Sequence, residues 1–166
     1  MKKIFSLFIA ILMFITTSLT LPVSAFSEQS SKIEGNIISE NTEYFPDGSY
    51  ATIVITEDSP NLTKASVYTK KGTKYFTLHN SNGDELWRFT VNGTFTVNPG
   101  MSSTCTSSTY NIGITENAWQ NKSAYAYRSK NQAVGDATFI KKLLLITVET
   151  KSCHVVLTCD ENGKLS

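Results

Sequence analysis

The sequence lacks the charge excess that a nucleic-acid-binding protein needs. It has 15 lysines and arginines against 14 aspartates and glutamates. The first 25 residues hold two of the lysines and no acid, which leaves 13 basic residues against 14 acidic ones in the rest. The densest basic groups are only Lys70-Lys71-Lys74 and Lys141-Lys142. Because nucleic-acid binders carry a basic face or stripe, we expect no nucleic-acid partner.

Residue types that carry catalysis or hold metals are also scarce. There are two histidines and three cysteines, and their spacings match no zinc pattern. The sequence contains no Gly-x-Ser-x-Gly elbow, no phosphate-binding glycine loop and no EF-hand loop. His154 follows Cys153 directly, but neighbouring residues of a strand point to opposite faces. We therefore expect no enzyme activity, no metal and no cofactor, with a small extracellular hydrolase as an alternative.

The N-terminal segment has the order of a secretory signal peptide. Lys2 and Lys3 precede an apolar run over residues 4–21, and the small residues Val23 and Ala25 follow it. This pattern predicts export, with cleavage of the signal peptide (residues 1–25) after Ala25. The alternative is an uncleaved membrane anchor, because about 18 apolar residues are enough to span a bilayer. The protein would then contact a membrane only through this segment.

The remaining chain divides into a leader and a single domain. Residues 26–41 are polar with isolated isoleucines and predict a flexible leader. Pro46-Asp47-Gly48 combines the fixed dihedral of proline with a glycine that accepts a positive one, which predicts the first turn of the domain. About 140 residues remain after cleavage, enough for one hydrophobic core. We therefore expect one β-domain over residues 42–166.

The clearest secondary-structure signal is the stretch over residues 87–97. Its apolar residues share one parity and its polar residues take the other, which is typical of a strand with one buried face. Gly93 keeps the apolar parity, so it predicts a bulge or bend in one long strand, and a hairpin at Asn92-Gly93 is the alternative. A strand with an aromatic face needs a second layer over it. We therefore predict an all-β fold, an antiparallel β-sandwich.

Two turns are predicted before this strand. Residues 71–73 (Lys-Gly-Thr) predict a hairpin with Gly72 in the left-handed region, between strands over residues 66–70 and 74–79. Residues 80–84 give the strongest turn signal in the chain. The second turn makes the strand that follows it antiparallel to the one before.

The C-terminal stretch over residues 143–159 is the most apolar part of the domain. Its length and its β-branched residues favour strand over helix. The polar residues 149–152 predict a break that divides it into two strands, and Lys141-Lys142 predict a corner before it.

Three cysteines lie in the part of the chain that the signal peptide would export, where disulfides persist. Cys153 and Cys159 are six residues apart, so on one continuous strand they lie about 20 Å apart and cannot bond. Cys105 is then half of any bridge within the chain, with Cys159 as the favoured partner and Cys153 as the alternative. The apolar residues at 110, 112 and 114 have the opposite parity to Cys105, so either a bulge lies between them or Cys105 faces away.

The order Cys105, Trp119, Cys159 is that of an immunoglobulin domain, in which a tryptophan packs on the bridge between the two sheets. The match is partial, because Leu157 stands where the tyrosine corner would place a tyrosine. The pattern supports a sandwich that is immunoglobulin-like only in a loose sense.

Aromatic residues are the group that suggests ligand binding. In a β-domain, aromatics with a period of two are more often core than surface, but an exposed set would form a stacking face for sugars. The candidate ligand-contact residues are Trp87, Trp119, Tyr110, Tyr125 and Tyr127.

Several motifs together resemble a known group of proteins. They are residues 43–50, the stretch around Trp87, Ser103-Thr104-Cys105-Thr106-Ser107-Ser108, Trp119, and the ending Leu157-Thr158-Cys159-Asp160 with Asn162-Gly163. With these motifs the chain resembles a family of small secreted proteins of unknown function from clostridial and gut-associated Gram-positive bacteria. The resemblance implies Cys105 and Cys159 as the usual pair, makes Cys153 a departure, and implies no activity.

These observations predict a secreted, non-catalytic binding or interaction module at or beyond the cell surface. A cell-wall or host glycan, or a protein, fits the aromatic set as a partner. The alternatives are a secreted bacteriocin-like or toxin-like factor, suggested by small size and export, and the small hydrolase.

Overall fold

The computed structural model describes residues 33–58 and 67–166, and these form β-strands and no helix. The strands are β1 (Asn36–Tyr44), β2 (Tyr50–Glu57), β3 (Tyr68–His79), β4 (Glu85–Asn98), β5 (Ser102–Ile114), β6 (Trp119–Ser129), β7 (Gln132–Leu143) and β8 (Ile146–Thr158). The prediction of an all-β antiparallel fold is confirmed. The signal peptide over residues 1–25, its cleavage site at Ala25 and the first part of the expected leader lie outside the described residues.

The strands form two sheets in which each strand pairs with its neighbours in sequence. The five-stranded sheet has the order β1-β2-β3-β4-β5 and the three-stranded sheet the order β6-β7-β8. An immunoglobulin domain connects its strands through Greek-key crossovers, and no such crossover occurs among the described strands. The structure therefore supports two packed antiparallel sheets, and it does not confirm the immunoglobulin-like detail.

The core lies between β4 and the inner faces of β7 and β8. Residues 87–97 form one strand, as predicted, and its alternate apolar side chains are buried. The ring of Trp87 stacks on Phe139 of β7 at a centroid distance of 4.0 Å. At Gly135 the sheets approach so closely that an added Cβ would lie 2.4 Å from Cγ2 of Val91. The glycine therefore permits the contact between the sheets at the centre of the core.

Two glycines have a different role from the one that their sequence context predicts. Gly72 does not form a turn, because β3 runs straight through it and pairs it with Gly93 of β4. A Cβ on Gly72 would lie 2.3 Å from Leu165, and a Cβ on Gly93 would lie 2.6 Å from the ring of Phe95. The predicted hairpin at residues 71–73 and the predicted bulge at Gly93 are therefore wrong. Both glycines make room for apolar side chains on the inner face.

The ladder between β4 and β5 has its irregularity one step beyond Gly93. Thr94 pairs with Ser107 and Phe95 with Cys105, which leaves Thr106 as the extra residue on β5. This bulge explains why Cys105 is buried although its parity differs from that of the apolar residues after it. The bulge expected between Cys105 and residue 110 is thus present.

The turns with glycine and side-chain hydrogen bonds form where the sequence predicts them. In the turn over residues 80–84, Oδ1 of Asn80 accepts hydrogen bonds from the backbone N–H groups of Asn82 and Asp84, each at 2.9 Å. In the β1–β2 turn, Gly48 has a positive φ of 82°. Lys151 of β8 donates to Asp47 in that turn at 2.6 Å, which holds the pKa of Asp47 well below its usual range.

The leader is shorter than predicted at its C-terminal end. β1 begins at Asn36 and pairs with β2, so residues 36–41 belong to the five-stranded sheet. Every residue of β1 is exposed. An exposed edge strand is held by backbone hydrogen bonds, so it carries none of the apolar alternation from which strands are predicted.

The apolar stretch over residues 143–159 contains a turn where a strand was predicted. β7 and β8 pair up to Leu143 and Ile146, and Leu144 has a positive φ of 56°. The polar residues 149–152 lie within β8 and do not divide it, and Lys141-Lys142 lie within β7 and do not form a corner. The predicted positions of break and corner are therefore wrong, because residues with strong β-propensity occupy the turn itself.

Candidate functional site

The five candidate aromatics divide into a buried group and an exposed group. Trp87 and Trp119 are 1% and 2% exposed, and their rings meet at 6.2 Å in the core, so neither can stack on a ligand. The prediction that they contact a ligand is wrong. Tyr110 is 40% exposed and leans on the core ring of Phe89 at 5.8 Å. Tyr125 and Tyr127 of β6 remain as surface aromatics.

Tyr125 and Tyr127 stand side by side on the outer face of the three-stranded sheet. They are 56% and 45% exposed, and their ring centroids lie 6.1 Å apart with an interplanar angle of 22°. Residues two apart on a strand point to the same face, while the alternate residues Ala124 and Ala126 point inward. The two rings thus form an open aromatic platform, which we call the tyrosine pair.

The cross-strand register places two polar side chains beside the tyrosine pair. Tyr125 pairs with Asp136 of β7, and Asp136 pairs with His154 of β8. Nδ1 of His154 lies 2.7 Å from Oδ1 of Asp136. An ionised carboxylate only accepts hydrogen bonds, so Nδ1 carries the proton in this contact. The row Tyr125, Asp136, His154 crosses all three strands of the sheet.

The charge of Asp136 keeps the neighbouring phenol in its neutral form. The negative carboxylate raises the pKa of Tyr125 above its ordinary value, because a second negative charge beside the first is unfavourable. At neutral pH the row therefore offers a phenol that can donate, a carboxylate that accepts, and an imidazole nitrogen on an exposed side chain. This combination can bind a hydroxyl-rich ligand.

The Asp136 and His154 pair resembles part of a hydrolytic triad but has no hydroxyl nucleophile bonded to it in the described part of the chain. The nearest row on the same face contains Thr138 and Ser152, whose hydroxyl oxygens lie 3.0 Å from each other. The side chain of His154 is 59% exposed. Catalytic histidines of triads are held between a carboxylate and a nucleophile in a site that excludes water, and this face provides the carboxylate alone.

The three cysteines are buried, and none forms a disulfide in the structure. Cys105 and Cys159 are nevertheless neighbours. The backbone N–H of Cys105 donates to the carbonyl of Lys130 at 2.8 Å, and that of Cys159 donates to the carbonyl of Asn131 at 3.0 Å. Burial raises the pKa of Cys105, and the adjacent Cys159 raises it further. The bridge between Cys105 and Cys159 therefore stays a prediction between two residues that the fold brings together.

Cys153 lies elsewhere in the core, opposite Ala137 on β7. Burial raises its pKa to about 12, so its thiol stays protonated and unreactive at neutral pH. Trp119 pairs with Lys141, whereas the two neighbouring cysteines flank the other end of β6. The length of β6 separates Trp119 from the cysteines, so the immunoglobulin arrangement, in which the tryptophan packs on the bridge, is not reproduced here.

Two grooves among the described residues lie beside the five-stranded sheet, and His154 lines the second of them. One, of about 430 Å³, runs over the outer face of the five-stranded sheet beside Thr90, Asn92 and Arg88. Arg88 is held in place there, since it donates to Thr77 at 3.0 Å and to Glu85 at 2.6 Å. The other, of about 490 Å³, lies between β1, β2, β3 and the free edge of β8.

The second groove is partly closed by a lysine. Nζ of Lys74 on β3 donates to the carbonyl of Val156 on β8 at 2.9 Å. Burial lowers the pKa of Lys74. The lysine thereby satisfies a carbonyl on the open edge of β8, which is a common protection of edge strands.

No group of three or more metal-ligating side chains occurs among residues 33–58 and 67–166. Within the same residues, no helix is long and apolar enough to cross a membrane.

Sequence reasoning missed Asp136, which has no motif around it, and treated His154 only as a neighbour of Cys153. Their contact depends on the register of β7 against β8, which is set by the turn over residues 143–146 together with the one-residue bulge at Val148. Comparisons with protein-family models, with curated proteins and with solved structures gave no match.

Proposed function

We propose that the protein is a non-catalytic binding module that acts at or beyond the cell surface and binds carbohydrate on the outer face of its three-stranded sheet. The observation that carries the proposal is the exposed tyrosine pair next to the hydrogen-bonded Asp136 and His154. Export of the chain, which the N-terminal pattern predicts, would place this face outside the cell.

The chemistry of the face matches the two surfaces of a sugar. The C–H face of a pyranose is apolar and packs on an aromatic ring, and its hydroxyl groups need donors and acceptors beside that ring. Tyr125 and Tyr127 supply two exposed, stacked rings on the outer face of the sheet, and the next strands supply a carboxylate and an imidazole. A flat row of this kind suits an extended glycan chain better than a small enclosed ligand.

Open access also supports binding rather than turnover. The side chains of Asp136 and His154 are 27% and 59% exposed, so water reaches both groups. Ligand recognition tolerates such exposure, whereas hydrolysis by an Asp and His pair needs a positioned nucleophile and a shielded transition state. The proposed role of Asp136 is to orient His154 and to accept a sugar hydroxyl.

The proposal is tested by binding of the protein to cell-wall and host-glycan fractions, measured by pull-down and then by titration of the retained polysaccharide. Removing one ring by Tyr125→Ala or Tyr127→Ala should weaken binding about tenfold, which corresponds to about 1.4 kcal/mol. Tyr44→Ala is the matched control, because Tyr44 is 77% exposed on the other sheet. Equal binding by the three variants and the parent would show that this face is not the site.

A further inference from the structure

The turn between β7 and β8 exposes four consecutive large aliphatic side chains. Leu143, Leu144, Leu145 and Ile146 are 68%, 91%, 94% and 70% exposed. Val148 on the bulge behind them is 55% exposed. Single exposed aliphatic residues are ordinary, but contiguous ones mark an interaction surface. We call residues 143–146 the aliphatic tip.

The aliphatic tip extends beyond the strand that supports its hairpin. β6 begins at Trp119, which pairs with Lys141, and the backbone N–H of Lys142 donates to the carbonyl of Ala118 at 2.8 Å. Past Lys142, β7 has only β8 beside it in the sheet. Two to three further residues of strand extend about 7–10 Å, which is close to the depth of about 5–10 Å that interfacial segments reach in a bilayer.

The other two lysines behind the tip are held in ion pairs. Lys141 pairs with Glu116 at 3.3 Å, and Lys151 lies between Asp47 at 2.6 Å and Glu149 at 3.5 Å. Among the described residues, none of the ion pairs involves Lys142. It therefore lies where it would meet the phosphates of a membrane surface while the leucines enter the acyl region.

The size of the tip argues against a second copy of the chain as its partner. Burying one aliphatic side chain removes about 60–120 Å² from water, so the four side chains supply about 240–480 Å². A stable protein interface buries about 800 Å² per partner. The tip also projects past the end of β6, so a protein partner would need a matching cavity, whereas lipid chains fit around any shape.

We propose that the aliphatic tip is a membrane-docking element that inserts into a bilayer containing anionic phospholipids. Leu144 and Leu145 enter the boundary of the acyl chains, Leu143 and Ile146 lie at the glycerol level, and Lys142 pairs with lipid phosphate. This surface is separate from the tyrosine pair and does not depend on carbohydrate binding. It differs also from the apolar N-terminal segment, through which the sequence alone predicts membrane contact.

Vesicle binding tests the proposal with the full chain as the cell produces it, so that parent and variants share the same N-terminal segment. The probe is a sucrose-loaded vesicle of equal parts phosphatidylcholine and phosphatidylglycerol, sedimented with the protein. Leu144→Asn combined with Leu145→Asn should lower the partition constant at least about a hundredfold, since each buried leucine contributes tenfold or more. Asparagine tolerates the positive φ at position 144. Met101→Asn is the control, because Met101 is also a largely exposed apolar residue, at 77%, and lies in the turn between β4 and β5, away from the tip.

Two further measurements make the result specific to the tip. Binding should be about fivefold tighter with phosphatidylglycerol than with phosphatidylcholine alone, and Lys142→Ala should remove this difference. Bromine-labelled lipid chains should quench the fluorescence of the tryptophan introduced by Leu145→Trp. They should not quench the fluorescence of the tryptophan introduced by Met101→Trp. This quenching reports the tip itself, even if the N-terminal segment also holds the chain on the vesicle.

A parent chain that does not sediment with vesicles would overturn the proposal. The proposal would also be overturned if lipid bromine left the fluorescence of Leu145→Trp unchanged. It would be overturned as well if the double variant lost a dimer that the parent forms but kept its lipid binding. The last result would assign the tip to a second copy of the chain. Tyr125→Ala with Tyr127→Ala should bind vesicles like the parent, which separates this test from that of the carbohydrate face.

Discussion

The two turns that flank β7 each contain a residue in the left-handed backbone conformation, but one turn is docked on the fold and the other is exposed. Lys130 in the turn after β6 and Leu144 in the turn before β8 both have a positive φ, of 53° and 56°. The first turn, residues 129–132, is docked by its backbone carbonyls onto Cys105 and Cys159, and Asn131 also donates to the carbonyl of Cys159 at 2.8 Å. The second turn, the aliphatic tip, is exposed on all of its side chains.

In these two turns, the usual distribution of residue types is reversed. The docked turn is polar, and the exposed turn is aliphatic. Docking through backbone carbonyls needs no apolar side chain, because the hydrogen bonds hold the turn. The leucines of the tip, by contrast, stabilise nothing inside the fold. The experiments below separate apolar residues that hold the protein together from apolar residues that serve an outside partner.

The largest expected effect is at Trp87, the apolar residue stacked on Phe139 in the core. Trp87→Ala should lower the free energy of unfolding by about 3–5 kcal/mol, because it leaves a large cavity between the sheets. Urea denaturation followed by circular dichroism measures it. A loss below about 1 kcal/mol would mean that the core closes around the gap, and that burial alone does not distinguish Trp87 from the leucines of the tip.

The next effect concerns the cysteines at the docked turn. We expect Cys105 and Cys159 to be bridged in protein recovered from oxidising medium, so that Cys105→Ser and Cys159→Ser each cost about 2–5 kcal/mol of stability and Cys153→Ser costs less. In the unfolded, non-reduced protein only Cys153 should then react as a thiol. Peptide mapping that joins Cys105 to Cys153, or three reactive thiols, would contradict this pairing.

A third effect depends on pH and on Cys153. Its folded pKa of about 12 is raised above the value of about 8.5 in an unfolded chain. The stability that this shift contributes is fully present below about pH 8.5 and is lost as the pH rises toward 12, on the order of a few kcal/mol in all. The free energy of unfolding, measured from pH 8 to pH 11, should therefore fall more steeply in the parent than in Cys153→Ala. If the two variants lost stability with pH at the same rate, the Cys153 thiol would have the same pKa in the folded and the unfolded protein.

The smallest effects compare the two turns directly. Asn131→Ala should cost about 0.5–1.5 kcal/mol, since it removes the side-chain hydrogen bond to Cys159. Leu144→Asn with Leu145→Asn should change stability by no more than about 0.5 kcal/mol, because neither side chain has a packing partner. Thermal melts of both variants with the parent give the answer. A destabilised tip variant would mean that the leucines do support the fold.

The features that sequence predicts correctly are those that several local signals support. The strand over residues 87–97 has a clean apolar parity, and the turn over residues 80–84 has an asparagine whose side chain can accept backbone hydrogen bonds. Each signal arises from residues that lie only a few positions apart in the sequence. The all-β class follows from signals of this kind.

The features that sequence does not predict depend on residues far apart in the chain. In its local sequence Gly72 suggests a turn, and only the fold shows that Leu165 packs against it. The aliphatic tip has strong β-propensity, so its sequence predicts a strand through the turn. Asp136 and His154 meet only because that turn and the bulge at Val148 together set the register of β7 and β8. A local pattern cannot specify a cross-strand contact, and half of the candidate site is such a contact.

The sequential order of the strands has a consequence for how the chain folds. Within each sheet, every strand after the first forms its ladder with the strand just before it in the sequence, so β-hairpins can close one after another. Sequence-local pairing lowers the entropy cost of loop closure and speeds folding relative to β-proteins with crossovers. The contacts between the two sheets join residues farther apart in the sequence, so they carry the larger loop-closure cost. The packing of Leu165 against Gly72 is another long-range contact, and it ties the segment after β8 to β3.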